Sequence, residues 1–179
     1  MSNIYGQRAE ELLSEIAASL NGCHKIIEFG CGDCHLALYL AKHLGAHVTG
    51  IDIADGQFAA AIEQARREGI NGLVECMRAD AEDLSHMHPD EYDCAVSKWV
   101  LHELAHPVRV LRQILRLLRP HGRIVCCDFT PGSQASDLWG EHYYGPWQAK
   151  GLLRRAGFEN VDARLVLDGN AMLVLGRKP

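Results

Sequence analysis

Between residues 25 and 128 the chain alternates short apolar runs with stretches of helical spacing, and this alternation restricts the fold more than any other feature. The runs are 25–29, 47–51, 73–78, 92–97 and 123–128. Each is continuously apolar rather than alternating, as expected of strands covered on both faces, and such strands pair in parallel. Helical patterns fill the gaps at 34–44, 56–68 and 107–118, the last opening on Pro107, which suits a first helical position. A helix over 4–20, with Leu12, Leu13, Ile16 and Leu20 at helical spacing, precedes the first strand. After an irregular stretch from Phe129 to Trp147, a last helix over 147–156 leads to runs at 158–167 and 171–175. The turn Asp168-Gly169-Asn170 joins these two runs as a β-hairpin, so at least one strand is antiparallel. The expectation is a three-layer α/β/α sandwich around a mostly parallel seven-stranded sheet that ends in an antiparallel hairpin.

A chain of 179 residues fits a single domain over 1–179 and is large enough to fold on its own core. No apolar run approaches the roughly 18 residues of a membrane span, and Glu10 and Glu11 stand where a signal peptide would be apolar. A soluble, cytoplasmic chain is therefore expected. The net charge of −5 argues against a mainly electrostatic nucleic-acid binder. Seven cysteines cannot all pair within the chain, so most are expected as reduced thiols packed like small hydrophobes.

In open α/β sheets a ligand lies beyond the carboxyl ends of the strands. Four of those ends carry polar groups: Glu28-Phe29-Gly30-Cys31-Gly32, Asp52, Asp80-Ala81 and Ser97. The glycines let a ligand approach the backbone, and the following helix offers unpaired N–H groups. A carboxylate closing the second strand can accept from both hydroxyls of a ribose, and one after the third strand can accept from an adenine amino group. These features point to a nucleoside-containing cofactor. A dinucleotide fingerprint would place glycine at position 35, where this chain has His35, which weakens a nicotinamide oxidoreductase reading.

The order of motifs resembles class I S-adenosylmethionine-dependent methyltransferases. It continues through Glu91-Tyr92-Asp93-Cys94-Ala95-Val96, Leu101-His102-Glu103-Leu104, Leu118-Arg119-Pro120-His121-Gly122 and Ala156-Gly157-Phe158. The likeness is greatest to the ubiquinone/menaquinone-biosynthesis branch that acts on small molecules. It implies a Rossmann-like fold, S-adenosylmethionine as cofactor and S-adenosylhomocysteine as product. By the same resemblance, Glu28, Gly30, Cys31 and Gly32 hold the methionine part. Asp52 takes the ribose with Ile53 against the adenine, Asp80 and Ala81 read the adenine edge, and Ser97 completes the set.

The chain departs from the family pattern at Cys34, which stands in place of the third glycine, preceded by Asp33 as a candidate N-cap. Cys31-Gly32-Asp33-Cys34-His35 also spells C-x-x-C-H, a haem-attachment or redox spacing. Two cysteines that happen to flank a cofactor loop are the simpler account, and no second C-x-x-C completes a zinc site.

The residues expected to act on the acceptor are His102, His142 and Tyr143. His102 follows the fourth strand directly, where a general base could reach a bound acceptor; a purely structural histidine is the competing account. His142 and Tyr143 lie in the segment Trp139 to Trp147, which holds four aromatic residues that either line an acceptor pocket or pin the loop. Arg109, Arg112, Arg116 and Arg119 line one helix face, read as a solvated outer surface rather than a docking stripe. With so little chain outside the cofactor fold, three arrangements of the acceptor site stay open: it is shallow, completed by a second copy in a homodimer, or closed by short segments of the chain. Two functions stay open as well: methyl transfer to a small-molecule acceptor, and a non-catalytic domain that senses the cofactor.

Overall fold

Strand β1 (Lys25–Phe29) is apolar on both sides, and Ile26, Ile27 and Phe29 are fully buried in the computed structural model, which describes residues 8–179. β2 (His47–Asp52), β3 (Val74–Arg78), β4 (Tyr92–Lys98) and β5 (Leu118–Phe129) join it as parallel strands. β6 (Glu159–Val166) and β7 (Ala171–Arg177) close the chain, and β7 lies antiparallel to both β5 and β6. The sheet order is β3-β2-β1-β4-β5-β7-β6. The strand order reverses between β1 and β4, so the switch point falls between their carboxyl ends.

Helices cover both faces. α1 (Ala9–Ser19), α2 (His35–Leu44) and α3 (Phe58–Arg67) press Leu12, Ile16, Leu36, Leu40, Ala61 and Ala65 onto one side. α4 (Pro107–Leu117) and α6 (Pro146–Ala156) bury Val110, Leu111, Ile114, Leu152 and Leu153 against the other. The opening helix was expected from residue 4; residues 4–7 lie outside the described residues, and α1 begins at Ala9.

Two local differences have physical causes. β5 was expected to start at Arg123, after a break at Pro120-His121-Gly122. The chain instead enters the strand directly from α4: Leu118 pairs with Tyr92, the intervening residues bulge out with His121 at φ +65°, and pairing resumes at Arg123 with Cys94. Within the stretch 129–147, a short helix α5 (Gln134–Trp139) forms, capped by the Ser133 side chain, which accepts from the N–H of Ser136. Arg109, Arg112 and Arg116 of α4 and Arg119 at the start of β5 lie at or near the surface, as expected, and each is also tied to a neighbour. Arg109 donates to the carbonyl of Glu82, Arg112 to that of Arg155, Arg116 to those of Met87 and Leu84, and Arg119 pairs with Asp93.

One cysteine pair, Cys23 with Cys94, is disulfide-linked, and the other five are free. Most of the cysteines are therefore thiols, as expected, with this pair the exception. Among the described residues no helix is long and apolar enough to cross a membrane.

Candidate active site

The turn after β1 is shaped by packing from the turn after β4. Gly30 has φ +68°, and a Cβ there would lie 2.4 Å from Cγ2 of Val100. Only glycine lets the β1 turn seat beneath Val100 without displacing it. Gly32 differs: its φ is +52°, and nothing lies within 4 Å of its missing Cβ, so its surroundings are open. Asp52, at the end of β2, accepts from the N–H of Gly32 at 2.8 Å and from that of Ala54 at 3.0 Å. Each carboxylate oxygen takes one main-chain donor and keeps acceptor capacity for a diol. The aspartate thus ties the β1 turn to β2 and still faces the cleft.

That cleft has a volume of about 420 Å³ and opens at the switch point. Gly30, Gly32, Asp52, Ile53, Asp80 and Ala81, six of the expected cofactor residues, line it. Ile53 is 68% exposed, an apolar side chain presented at the rim rather than buried. Asp80 accepts from the N–H of Glu82 at 2.8 Å, which fixes its turn. Trp99, Val100 and Glu103, from the turn after β4, form the opposite wall. Trp99 has φ +64° and stacks on Phe129 with ring centroids 3.6 Å apart.

The other three expected cofactor residues do not line this cleft. Ser97 is fully buried within β4. Cys31 is buried, with its Sγ 3.5 Å from that of Cys34. Glu28 is 2% exposed, and its Oε2 finds no hydrogen-bond partner among the described residues. Burial pushes its carboxyl up to about 8, against the opposing pull of Lys98 and the N–H of Ala37. An unpartnered carboxylate oxygen beside an open glycine turn is the condition an ammonium group would relieve. The residues present therefore fit S-adenosylmethionine: an acid for its amino group, an open turn, a diol acceptor and an apolar rim.

Cys34, in place of the third glycine, keeps the left-handed backbone a glycine would adopt, with φ +57°, as the residue that opens α2. A non-glycine residue there carries strain of roughly 1–2 kcal/mol. Its side chain turns inward to Cys76 of β3, with the two Sγ atoms 2.8 Å apart. Asp33 accepts from the N–H of His35 at 3.1 Å but is not itself the N-cap. No group of three or more His, Cys, Asp or Glu able to hold a metal occurs among the described residues.

A polar cluster adjoins the cleft at Glu103, whose Oε1 is 4.0 Å from His102 Nε2. The His102 side chain is 5% exposed, and its Nδ1 is 2.7 Å from Oδ1 of Asp128, the last-but-one residue of β5. Asp128, 1% exposed, also accepts from the main-chain N–H groups of His102 and Phe129. His102 Nε2 is 3.2 Å from Oε2 of Glu141, which in turn accepts from the Tyr143 hydroxyl at 2.8 Å. Burial pulls the His102 ring down, but Asp128, Glu103 and Glu141 together outweigh it, and the pKa is raised above the ordinary histidine value. Burial and Glu141 push the Tyr143 phenol upward. The structure thus brings His102 and Tyr143 together, with ring centroids 4.5 Å apart. His142 is not among them; it is exposed and pairs edge-on with Tyr144. In the aromatic segment, Tyr143 is buried against Phe129, whereas Trp147 is 78% exposed. Asp128 and Glu141 were not singled out from sequence, although each sits in a segment that was: the acidic end of the fifth strand and the aromatic loop.

Residues 27–126, more than half of the chain, match the model of a family described as a methyltransferase domain. The methyltransferase GfsG of Streptomyces halstedii is 32% identical over 136 residues, covering 74% of this chain and 47% of that protein. A ubiquinone biosynthesis O-methyltransferase of Aeromonas salmonicida is 34% identical over 100 residues, covering 56% of this chain and 41% of that protein. The chain thus spans about half the length of these curated relatives. In fold it is similar to the [4+2]-cyclase SpnF, with TM-score 0.83 and 24% identity, covering 97% of this chain and 82% of that one. Sheet order, cleft position and family match agree: the chain belongs to the methyltransferase domain family and has the Rossmann-like, S-adenosylmethionine-dependent fold of class I.

Proposed function

We propose that this chain moves a methyl group from S-adenosylmethionine to an oxygen of a small-molecule acceptor. The observation that carries the reading is a buried His102–Asp128 pair joined through Glu103 to a cleft walled by Asp52 and Asp80. The bound cofactor supplies an activated sulfonium methyl carbon. Asp52 grips the ribose diol, Asp80 and the Ala81 amide face the adenine, and Ile53 covers it. Glu28 meets the amino group, and Gly32 leaves room for the methionine chain. His102 meets the acceptor through Nε2, and Asp128 is its positioning residue. Protein groups here chiefly align the reactants and exclude water, which supplies much of the barrier reduction in a displacement of this kind.

The acceptor site draws on the end of α5, where Leu138 and Trp139 stay exposed, and on the segment between α5 and α6, which Tyr143 anchors. The relatives named for ubiquinone biosynthesis favour a small organic acceptor, and no comparison favours a non-catalytic cofactor sensor. Calorimetry with S-adenosylhomocysteine tests the cofactor half: heat is expected with the natural chain, and at least tenfold weaker binding with Asp52→Ala. Transfer of labelled methyl to a panel of phenols, enols, carboxylic acids and amines tests the other half. A folded protein that binds neither S-adenosylmethionine nor its product would overturn the reading.

A further inference from the structure

Both nitrogens of the His102 ring face carboxylates, Nδ1 to Asp128 at 2.7 Å and Nε2 to Glu141 at 3.2 Å. Asp128 takes the Nδ1 proton in a hydrogen bond, and the Glu141 carboxylate at ion-pair distance from Nε2 favours a proton there as well, so the two acids together favour the doubly protonated ring. As an imidazolium, the form this arrangement favours, His102 has no lone pair with which to deprotonate an acceptor. The two carboxylates differ in kind. Asp128 is 1% exposed, with both oxygens committed to His102 and Phe129, and it belongs to a central strand. Glu141 has a side chain 51% exposed, and it lies in the loop between α5 and α6. A single Glu141 oxygen, Oε2, receives both the imidazolium and the Tyr143 hydroxyl. A fixed pair of donors is therefore filled by an oxygen anion on a displaceable tether.

We propose that this two-donor position is the seat of the acceptor's nucleophilic oxygen, that Glu141 occupies it when no acceptor is bound, and that the acceptor is an acidic hydroxyl, a phenol or enol, bound as its anion. The inference rests on the methyl-transfer reading and deepens it. An aliphatic alcohol or a neutral amine brings no charge with which to displace a carboxylate from an imidazolium. An aryl or enol oxygen brings one, and its planar body meets Phe129 and Trp139, whose rings lie 5.5 Å apart beside Tyr143. The seat adjoins the cofactor cleft through Glu103, which lines the cleft and has Oε1 4.0 Å from His102 Nε2. The hydroxyl proton leaves to solvent as the anion replaces Glu141, so the seat's charge is unchanged. In the transfer, an oxygen lone pair forms the O–CH3 bond while the sulfonium S–CH3 bond breaks and its electron pair stays on sulfur. No proton moves in that step. His102 then acts as a fixed positive donor rather than a base.

The test titrates 4-nitrophenol, whose anion and neutral form absorb at different wavelengths, into protein saturated with S-adenosylhomocysteine, at a pH below the probe's own pKa. Glu141→Ala and Glu141→Gln are expected to bind it at least tenfold tighter than the natural chain, with the anionic band appearing on binding. Tyr143→Phe in the Glu141→Ala background weakens that binding severalfold, and His102→Gln removes the anionic band. Glu141 is a half-exposed loop residue, and the glutamine variant keeps its shape should the alanine variant disturb the loop. Equal affinity in the natural chain and both Glu141 variants, or a bound probe in its neutral form, overturns the seat. S-Adenosylhomocysteine heat with no anionic probe binding removes the seat and leaves methyl transfer standing. Anionic probe binding without that heat supports the seat and removes methyl transfer.

Discussion

Asp128 receives both the ring Nδ1–H and the main-chain N–H of His102, at 2.7 and 2.9 Å. One carboxylate thereby fixes the side chain and the backbone of the same residue, so the ring cannot turn unless the β4 turn moves with it. Replacing Asp128 with Ala leaves buried donors unpaired at an expected cost of about 1–3 kcal/mol. Transfer rate is expected to fall roughly 10²-fold, the scale of losing one preorganised donor, while S-adenosylhomocysteine affinity stays within twofold. Thermal unfolding, single-turnover kinetics and calorimetry read the three quantities separately.

The raised His102 pKa predicts a pH dependence of stability. The folded ring binds its proton more tightly than the unfolded one, so its contribution is fully present below the unfolded value of about 6.5. That contribution is lost as pH rises through the folded value. The difference in Tm between the natural chain and His102→Gln should therefore be largest in mild acid and shrink toward alkaline pH. A difference independent of pH would contradict the Asp128 pairing.

Glu28 has the opposite consequence. Its folded carboxyl, raised to about 8, lies above the unfolded value near 4.3, so the folded state favours the protonated form. Stability from this group is present at low pH and declines as pH rises between those two values. Glu28→Gln is expected to flatten the decline. An ammonium group placed against Glu28 favours the ionised form, so binding S-adenosylmethionine near neutral pH should release a proton. Calorimetry in buffers of different ionisation enthalpy measures that release, and Glu28→Gln should abolish it.

The alternation of strands and helices was legible because parallel strands read as unbroken apolar runs, and Asp52 and Asp80 were legible because each closes one of those runs. The His102–Asp128 pair was not. The two residues are separated by 26 positions and meet only because β4 and β5 are neighbours in the sheet. Cys76 was missed for a similar reason: nothing local in β3 indicates that its thiol faces Cys34 across the layer. The extent of β5 was hidden by proline and glycine, which usually end an element and here form a bulge inside one. Glu141 looked like an ordinary loop acid, because the partners that give it meaning come from two other segments.

The free thiols provide a chemical check on the packing. Cys126 is fully buried within the sheet, which pushes its thiol up to about 12, and burial drives Cys127 well above the ordinary value. Cys34 is raised as well, chiefly by its contact with Cys31. All three should resist iodoacetamide at neutral pH in the folded protein and react after unfolding in denaturant, as mass spectrometry would record. Rapid labelling of Cys126 in the native state would contradict the strand pairing.

The two glycines of the β1 turn should fail differently. Gly30→Ala forces a Cβ onto Val100 in a left-handed backbone, with an expected loss of about 2–5 kcal/mol. Gly32→Ala meets only open space and should cost about 1–2 kcal/mol, with most of its effect on S-adenosylhomocysteine affinity. Chemical denaturation and calorimetry on the two variants separate the outcomes.

The seat of Gly30 beneath Val100 means that the turn after β1 and the turn carrying Trp99 and His102 are keyed together with no gap between them. Neither can shift by more than a fraction of an ångström without taking the other along. On the proposed function, donor and acceptor would be registered on a single rigid block, and adapting such a chain to a differently shaped acceptor would call for changes in the loop that carries Glu141 rather than in the sheet.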